Sequence, residues 1–215
     1  PCTAKKFEAE DVGDVDAVLT TREVQDLLRR FGLDLNHGIR PAPLDHPFAE
    51  ATGAGRIFGG TGGVMEAACR TAYRMITETE MQDGPKVSAA RGLDRLKIFS
   101  AEVGKGTLHF AVVNGLGEAQ SVLDSVAQGT SNLHFIEVMT CPGGCIGGGG
   151  QPRMTTNEVR LKRIQAIYRE DEGKQVRTSL LNPEVSQIYE EFLKKPLGEK
   201  SHHLLHTRYT VRERV

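Results

Sequence analysis

An apolar run, His134–Met139, breaks off at Thr140 into Cys141-Pro-Gly-Gly-Cys-Ile-Gly-Gly-Gly-Gly150, and no other stretch limits the fold of this chain as much. The run has the length and composition of a strand, so the strand must end where the loop begins. Six glycines fall between Pro142 and Gly150. Lacking Cβ atoms, they let backbone N–H groups come close to a bound object. Thiolates are soft donors that select zinc, copper or iron–sulfur centres over hard cations. Donors near thiolate or inorganic sulfur also tune the potential of a cluster. The loop reads as a wrapping for a large sulfur-rich object.

Charge and length narrow the rest. The 215 residues suffice for one domain with a real core or for two small lobes. Lys and Arg number 27 against 28 Asp and Glu, and no basic run stands out, which argues against nucleic acid as the main partner. No apolar segment approaches the roughly 20 residues that span a bilayer. No secretory signal opens the chain, which starts Pro1-Cys2-Thr3-Ala4-Lys5-Lys6. A start at Pro leads us to expect a fragment, a processed product or a trimmed form. Four unevenly spaced cysteines are too few for a disulfide framework and read as ligands in a reducing compartment, so the cytoplasm is expected.

Periodicity places the elements. Thr20 or Thr21 caps a helix in which Val24, Leu27, Leu28 and Phe31 share one face and Gly32 stops it. A Pro- and His-containing loop crosses Asn36 to Glu50. The second glycine cluster, Gly59-Gly-Thr-Gly-Gly63, opens a helix over about 64–80, with Val64, Ala67, Ala68, Thr71 and Met75 on one face. Strands follow at Leu96–Val103 and Leu108–Val113. A helix then carries Ala119, Val122, Leu123 and Val126, and the strand His134–Met139 comes next. Helices over about 157–171 and 183–193 close the chain. The last has Asn182 as cap, Pro183 at its first position, and Val185, Ile188, Tyr189 and Phe192 facing inward. Strands alternating with helices of this length imply an α/β fold, parallel strands flanked by helices.

Of the four cysteines, Cys2, Cys141 and Cys145 sit at loop or strand ends. Cys69 sits mid-helix and reads as a small apolar packing residue. The pair at 141 and 145 is CxxxC rather than the CxxC common at zinc, and ferredoxin spacings fail because no second pair is near. Three ligands so far apart suggest a cluster held between distant loops. A [4Fe–4S] centre usually takes four thiolates.

Two stretches carry a resemblance. Pro1-Cys2-Thr3-Ala4-Lys5-Lys6-Phe7-Glu8 and Glu137-Val-Met-Thr-Cys-Pro-Gly-Gly-Cys-Ile-Gly-Gly-Gly-Gly-Gln-Pro152 resemble the second and third signature motifs of the [FeFe]-hydrogenase catalytic domain. The stretches at 14–23, 59–68 and 203–209 resemble the same family in the same order. The resemblance runs from the first residue to the last few. It implies that residues 1–215 are a partial large-subunit catalytic domain, the later part of a two-lobed one. The implied reaction is the reversible oxidation of H2 to protons and electrons.

The resemblance also implies the cofactor: a [4Fe–4S] cubane bridged through one cysteine sulfur to a diiron subcluster with CO, CN and azadithiolate ligands. Cys2 and Cys141 match cubane ligands, and Cys145 matches the shared cysteine. Lys5 matches the lysine that binds a cyanide, where a fixed ammonium beside an anionic ligand forms a charge-assisted hydrogen bond. Met139 matches a methionine of the diiron pocket, with Phe58 and Gly59 as part of its wall. Read from the residues alone, Lys5 is a surface lysine and Met139 a core residue. The family's first motif, with paired cysteines that supply the fourth cubane ligand and a proton-shuttling thiol, is absent and is expected upstream. The implied partners are H2, protons, and ferredoxin-type clusters on another segment or subunit. A NAD(P) link would need a partner chain. Two alternatives from the same resemblance are a non-catalytic iron–sulfur protein of the cluster-assembly type and a sensory hydrogenase.

The other candidates read as structure. The turn at Gly59–Gly63 lacks nucleotide-loop spacings, although a helix start favours anionic cluster ligands. His202 and His206 at i, i+4 read as a solvated face. Glu8 and Glu66 read as ion-pair members, and Lys162, Arg163, Arg169 and Lys174 as a mixed charged face.

Overall fold

The computed structural model describes residues 1–45, 49–81, 89–104 and 106–208. Residues 46–48 of the expected 36–50 loop and Tyr209 of the tail motif lie outside them. The chain divides into two compact units. One comprises Pro1–Glu50, Gly150–Pro152 and Pro183–Val215; the other comprises Ala51–Gly149 and Arg153–Asn182.

The larger unit is built on a sheet of order β1-β2-β3, with β1 at Leu96–Val103, β2 at Gly106–Asn114 and β3 at Phe135–Met139. β1 and β2 pair antiparallel, from Leu96 opposite Val113 to Val103 opposite Gly106. A link of two residues cannot bring strands into parallel register, so these neighbours form a hairpin. β2 and β3 pair parallel, from Phe110 opposite Phe135 to Asn114 opposite Met139. The crossover that parallel pairing requires is the helix Leu116–Ala127 (here α5). The α/β class therefore holds, with a mixed sheet whose parallel pair delivers the cysteine loop.

The central strand is apolar because it is covered twice. Phe110 and Val112 pack with Met65, Cys69 and Ala101 on one face. Ala111 and Val113 pack with Ala119, Val122, Leu133 and Ile136 on the other. A strand buried on both faces reads as a continuous apolar run, as Phe110–Val113 does.

Met65 and Cys69 come from α4 (Gly63–Thr77), preceded by the short α3 (Gly53–Ile57). The expected face of α4 holds in part: Ala67 on it is buried, and Val64, Ala68 and Thr71 are half-buried. Met75 is exposed, and the buried positions include Met65, Glu66, Cys69 and Arg70. A charged pair can lie inside because partners meet it there. Arg70 donates to Asp171 Oδ1 and Oδ2 at 2.7 Å each and pairs with Glu66. Arg91 reaches Glu66 at 2.9 Å, and Arg177 reaches Asp171 at 2.7 Å. Asp171 belongs to α6 (Asn157–Glu172), so this network ties α4 to α6. Burial alone pushes the Asp171 carboxyl up, but the hydrogen bonds from Arg70 and Arg177 outweigh it and hold it at about 2. Glu66 is an ion-pair member, as its setting suggested.

The smaller unit holds α1 (Ala4–Val12), α2 (Thr21–Arg30), α7 (Pro183–Ile188) and α8 (Glu199–Leu205). α2 starts on a capping box: Thr20 Oγ1 accepts from Glu23 N, and Glu23 accepts from Thr20 N at 2.8 Å. Past Ile188, α7 gives way to a π-turn over Tyr189–Leu193. The wider turn shifts the phase, so Leu193 is buried and Phe192, expected inward, is exposed. Among the described residues no helix is long and apolar enough to cross a membrane.

Candidate cofactor-binding site

β3 ends at Met139, whose carbonyl accepts from Gly115 N at 2.7 Å. Asn114, at the end of β2, then grips the loop. Its Nδ2 donates to Met139 O at 3.3 Å and Cys141 O at 2.5 Å, and its Oδ1 accepts from Gly143 N at 2.8 Å. The chain reverses through Gly143 and Gly144, at φ 80° and 90°, where an L side chain is strained. Gly144 N closes the turn on Cys141 O at 2.9 Å, and Cys145–Gly147 follow as a 3₁₀ turn.

The glycine turn before α4 packs against this loop. Thr61 N donates to Gly143 O, and Ile146 N to Gly59 O, at 3.0 Å each. A Cβ on Gly144 would lie 2.7 Å from Thr61 N and 2.9 Å from Met139 Sδ, so only glycine allows this approach. Glu137 on β3 fastens the turn from behind. Its carboxylate accepts from Gly62 N at 2.6 Å and Met65 N at 2.7 Å, satisfying N–H groups at the start of α4. Lys97, buried nearby, donates to Gly92 O at 3.1 Å; burial brings its ammonium down to about 8, against the pull of Glu137 and Asp94.

The structure thus brings Gly59, Met139, Cys141 and Cys145 into one cradle. Phe58 borders the glycine turn and is exposed. Cys141 is half-buried and Cys145 exposed, and neither is in a disulfide. Cys69 is different: burial, then the Glu66 charge, pushes its thiol up to about 12, which marks a packing residue. Among the described residues, no three His, Cys, Asp or Glu side chains gather into a set that could hold a metal ion. Two thiols, a glycine cradle and a buried hydroxyl on Thr61 without a partner suit an iron–sulfur group in kind, while the thiols of this unit are short in number.

The remaining expected residues lie in the smaller unit. Cys2 is half-buried ahead of α1. Pro1 O accepts from Gly150 N at 2.6 Å, which ties the start of the chain to the end of the glycine run. Lys5 is mostly exposed, ion-paired with Glu8, and lines a cavity of about 290 Å³ with Ala9, Val12, Val15 and Val18.

Asn114, Glu137 and Arg163 were not singled out in the sequence. Arg163, read as part of a charged face, donates to Ile146 O at 2.8 Å and so supports the turn after Cys145. Only Glu137 carried a signal, as a carboxylate in an apolar run.

Comparison with known proteins settles the family. The model of the iron-only hydrogenase large subunit, C-terminal domain, matches residues 1–149. The chain belongs to the iron-only hydrogenase family. A second model, the iron hydrogenase small subunit, matches residues 157–212. The chain is similar over its whole length to the NADP-reducing hydrogenase subunit HndD of Solidesulfovibrio fructosivorans, at 44% identity, and spans 38% of that protein. It is also similar over its whole length to the cytosolic iron-sulfur assembly component 3 of Rattus norvegicus, at 32% identity and 47% of that protein. Among solved structures, the [FeFe]-hydrogenase HydA1 of Chlamydomonas reinhardtii superposes with a TM-score of 0.73 at 37% identity, covering 97% of this chain and 61% of that one. The iron-only hydrogenase fold is therefore the fold of this chain.

Proposed function

We propose that this chain is part of an iron hydrogenase that catalyses the reversible oxidation of H2 to protons and electrons. The observation that carries the reading is the cradle of the larger unit, where the loop of Cys141 and Cys145 is fastened to a glycine turn beside Met139. Residues 1–215 act in this reading as one piece of the catalytic domain, with the cofactor held by Cys2, Cys141 and Cys145. When bound, the [4Fe–4S] cubane and its diiron subcluster with CO, CN and azadithiolate ligands supply the redox chemistry and the H2-binding site.

The protein's part is to hold, tune and shield. Asn114 and Glu137 fix the two loops, so the thiols are set in place before the group arrives. Met139, with Phe58 and Gly59, forms an apolar wall. Lys5 offers an ammonium to an anionic ligand once it exchanges Glu8 for that ligand. Electrons would leave toward a ferredoxin-type carrier or toward clusters on another segment or subunit. The name of the relative from Solidesulfovibrio fructosivorans suggests NADP as an acceptor reached through a partner chain. Cysteines outside any disulfide fit a reducing compartment, and we assign the cytoplasm.

The assembly-type relative supports a second reading, a non-catalytic iron–sulfur protein. The stretch Gly59–Glu66 is of the hydrogenase kind and weighs for the first. Infrared spectroscopy after anaerobic loading of the cubane and a diiron mimic separates them. The hydrogenase reading expects carbon monoxide and cyanide bands, followed by H2 evolution; slow turnover in the same sample would point to a sensory member. Bound iron and sulfide without those bands would favour the assembly reading.

A further inference from the structure

Thr61 stands inside the glycine turn, 1% exposed, and its hydroxyl has no hydrogen-bond partner. Buried polar groups are nearly always paired, and leaving one without a partner is destabilising. Its surroundings explain why the polypeptide does not satisfy it. Both neighbours on each side are glycines, Gly59, Gly60, Gly62 and Gly63, which have no side chain to offer. The nearby carbonyls each already accept one backbone hydrogen bond: Gly59 O from Ile146 N, Gly60 O from Gly63 N, Ile57 O from Gly60 N and Gly143 O from Thr61's own N–H. Cys141 O accepts from Gly144 N and from Asn114.

A threonine hydroxyl reaches no farther than a few ångströms from its own backbone. That backbone is bonded to Gly143, between the two loop cysteines, and touches the place a Cβ of Gly144 would take. The hydroxyl exposes no surface to a group outside the polypeptide, so the acceptor left to it is the sulfur of a loop cysteine once that thiol ligates a cluster.

We propose that the Thr61 hydroxyl hydrogen-bonds to the ligating sulfur of Cys141 or Cys145 in the iron–sulfur centre that this loop holds. This rests on the reading that the loop holds such a centre. A hydrogen bond to cluster sulfur favours the reduced, more negative state, so the group raises the potential of the centre.

The test uses Thr61→Val, which keeps the shape and removes the donor, and Thr61→Ser, which keeps the donor. Without the cluster, Thr61→Val should melt at the same temperature as the parent or higher, because an unpaired buried hydroxyl is removed. In cluster-loaded protein of equal iron content, Thr61→Val should lower the ratio of reduced to oxidised centre about tenfold at a fixed potential, a shift of about 59 mV for one electron. It should also lose a solvent-exchangeable proton coupled to the centre in its magnetic resonance spectrum. Thr61→Ser should restore both. A lower melting temperature of cluster-free Thr61→Val, with potential and proton coupling unchanged after loading, would mean the hydroxyl is paired to protein or water and would overturn the proposal alone. Parent protein that takes up no iron and sulfide would overturn the cluster reading, and this inference with it.

Discussion

The two units use apolar residues in opposite ways. In the larger one, Ala111, Val112 and Val113 are fully buried, and α4 and α5 cover the two faces of one strand. In the smaller one, α2 carries a regular apolar stripe, yet Val24, Leu27 and Phe31 on it are all exposed, Phe31 at 71%. The buried clusters of the described residues all lie in the larger unit. An amphipathic pattern therefore states which face of a helix can be covered, and the sheet decides where covering happens. Stability should follow the same division, with the candidate cysteine loop on the firm side.

Three experiments would break or sharpen this contrast. The largest effect is expected from Arg70→Ala, which leaves the buried Glu66 and Asp171 carboxylates only Arg91 and Arg177 as partners; denaturant unfolding should show a loss of about 3 kcal/mol. A loss below about 1 kcal/mol would mean the network does not hold α4 to α6.

Acid should act on the same point more gently. Asp171 has a folded-state value near 2, below its ordinary 3.8, so its contribution is present above the ordinary value and fades as pH falls through the folded one. The stability gap between parent and Asp171→Asn should therefore narrow between about pH 4 and pH 2. A gap that stays constant over that window would remove Asp171 as the acid-sensitive group.

The smallest effect belongs to the smaller unit. Phe31→Ser should change stability by no more than about 0.5 kcal/mol, and amides of α2 should exchange with solvent well before those of β2. Protection of α2 equal to that of β2 would erase the contrast.

Much of the larger unit was legible from local pattern. The strands at Leu96–Val103 and Leu108–Val113 were expected and are present, and the helices over 157–171 and 183–193 began at the expected Asn157 and Pro183. The faces of α4 and of the helix over 183–193 were misread in part, at Met75 and Phe192, for two physical reasons. Arg70 and Glu66 look like surface residues until Asp171, Arg91 and Arg177 arrive from distant positions. The π-turn after Ile188 changes the period on which a face is counted. In the site, cysteines and glycines stood out because their chemistry is rare. Asn114 and Arg163 did not, because an amide at a strand end and an arginine on a helix are ordinary until the fold aims them.

By itself the sequence determined the family, the strands, the helices other than α1, α3 and α8, and the chemistry offered by Cys141, Cys145 and the glycine runs. These are carried by residue type and short-range spacing. Tertiary structure alone decided that Glu137 fastens the turn of Thr61 and that Asn114 grips the backbone between the cysteines. Those contacts join residues 27 to 75 positions apart, and only the paired strands bring them within hydrogen-bond reach.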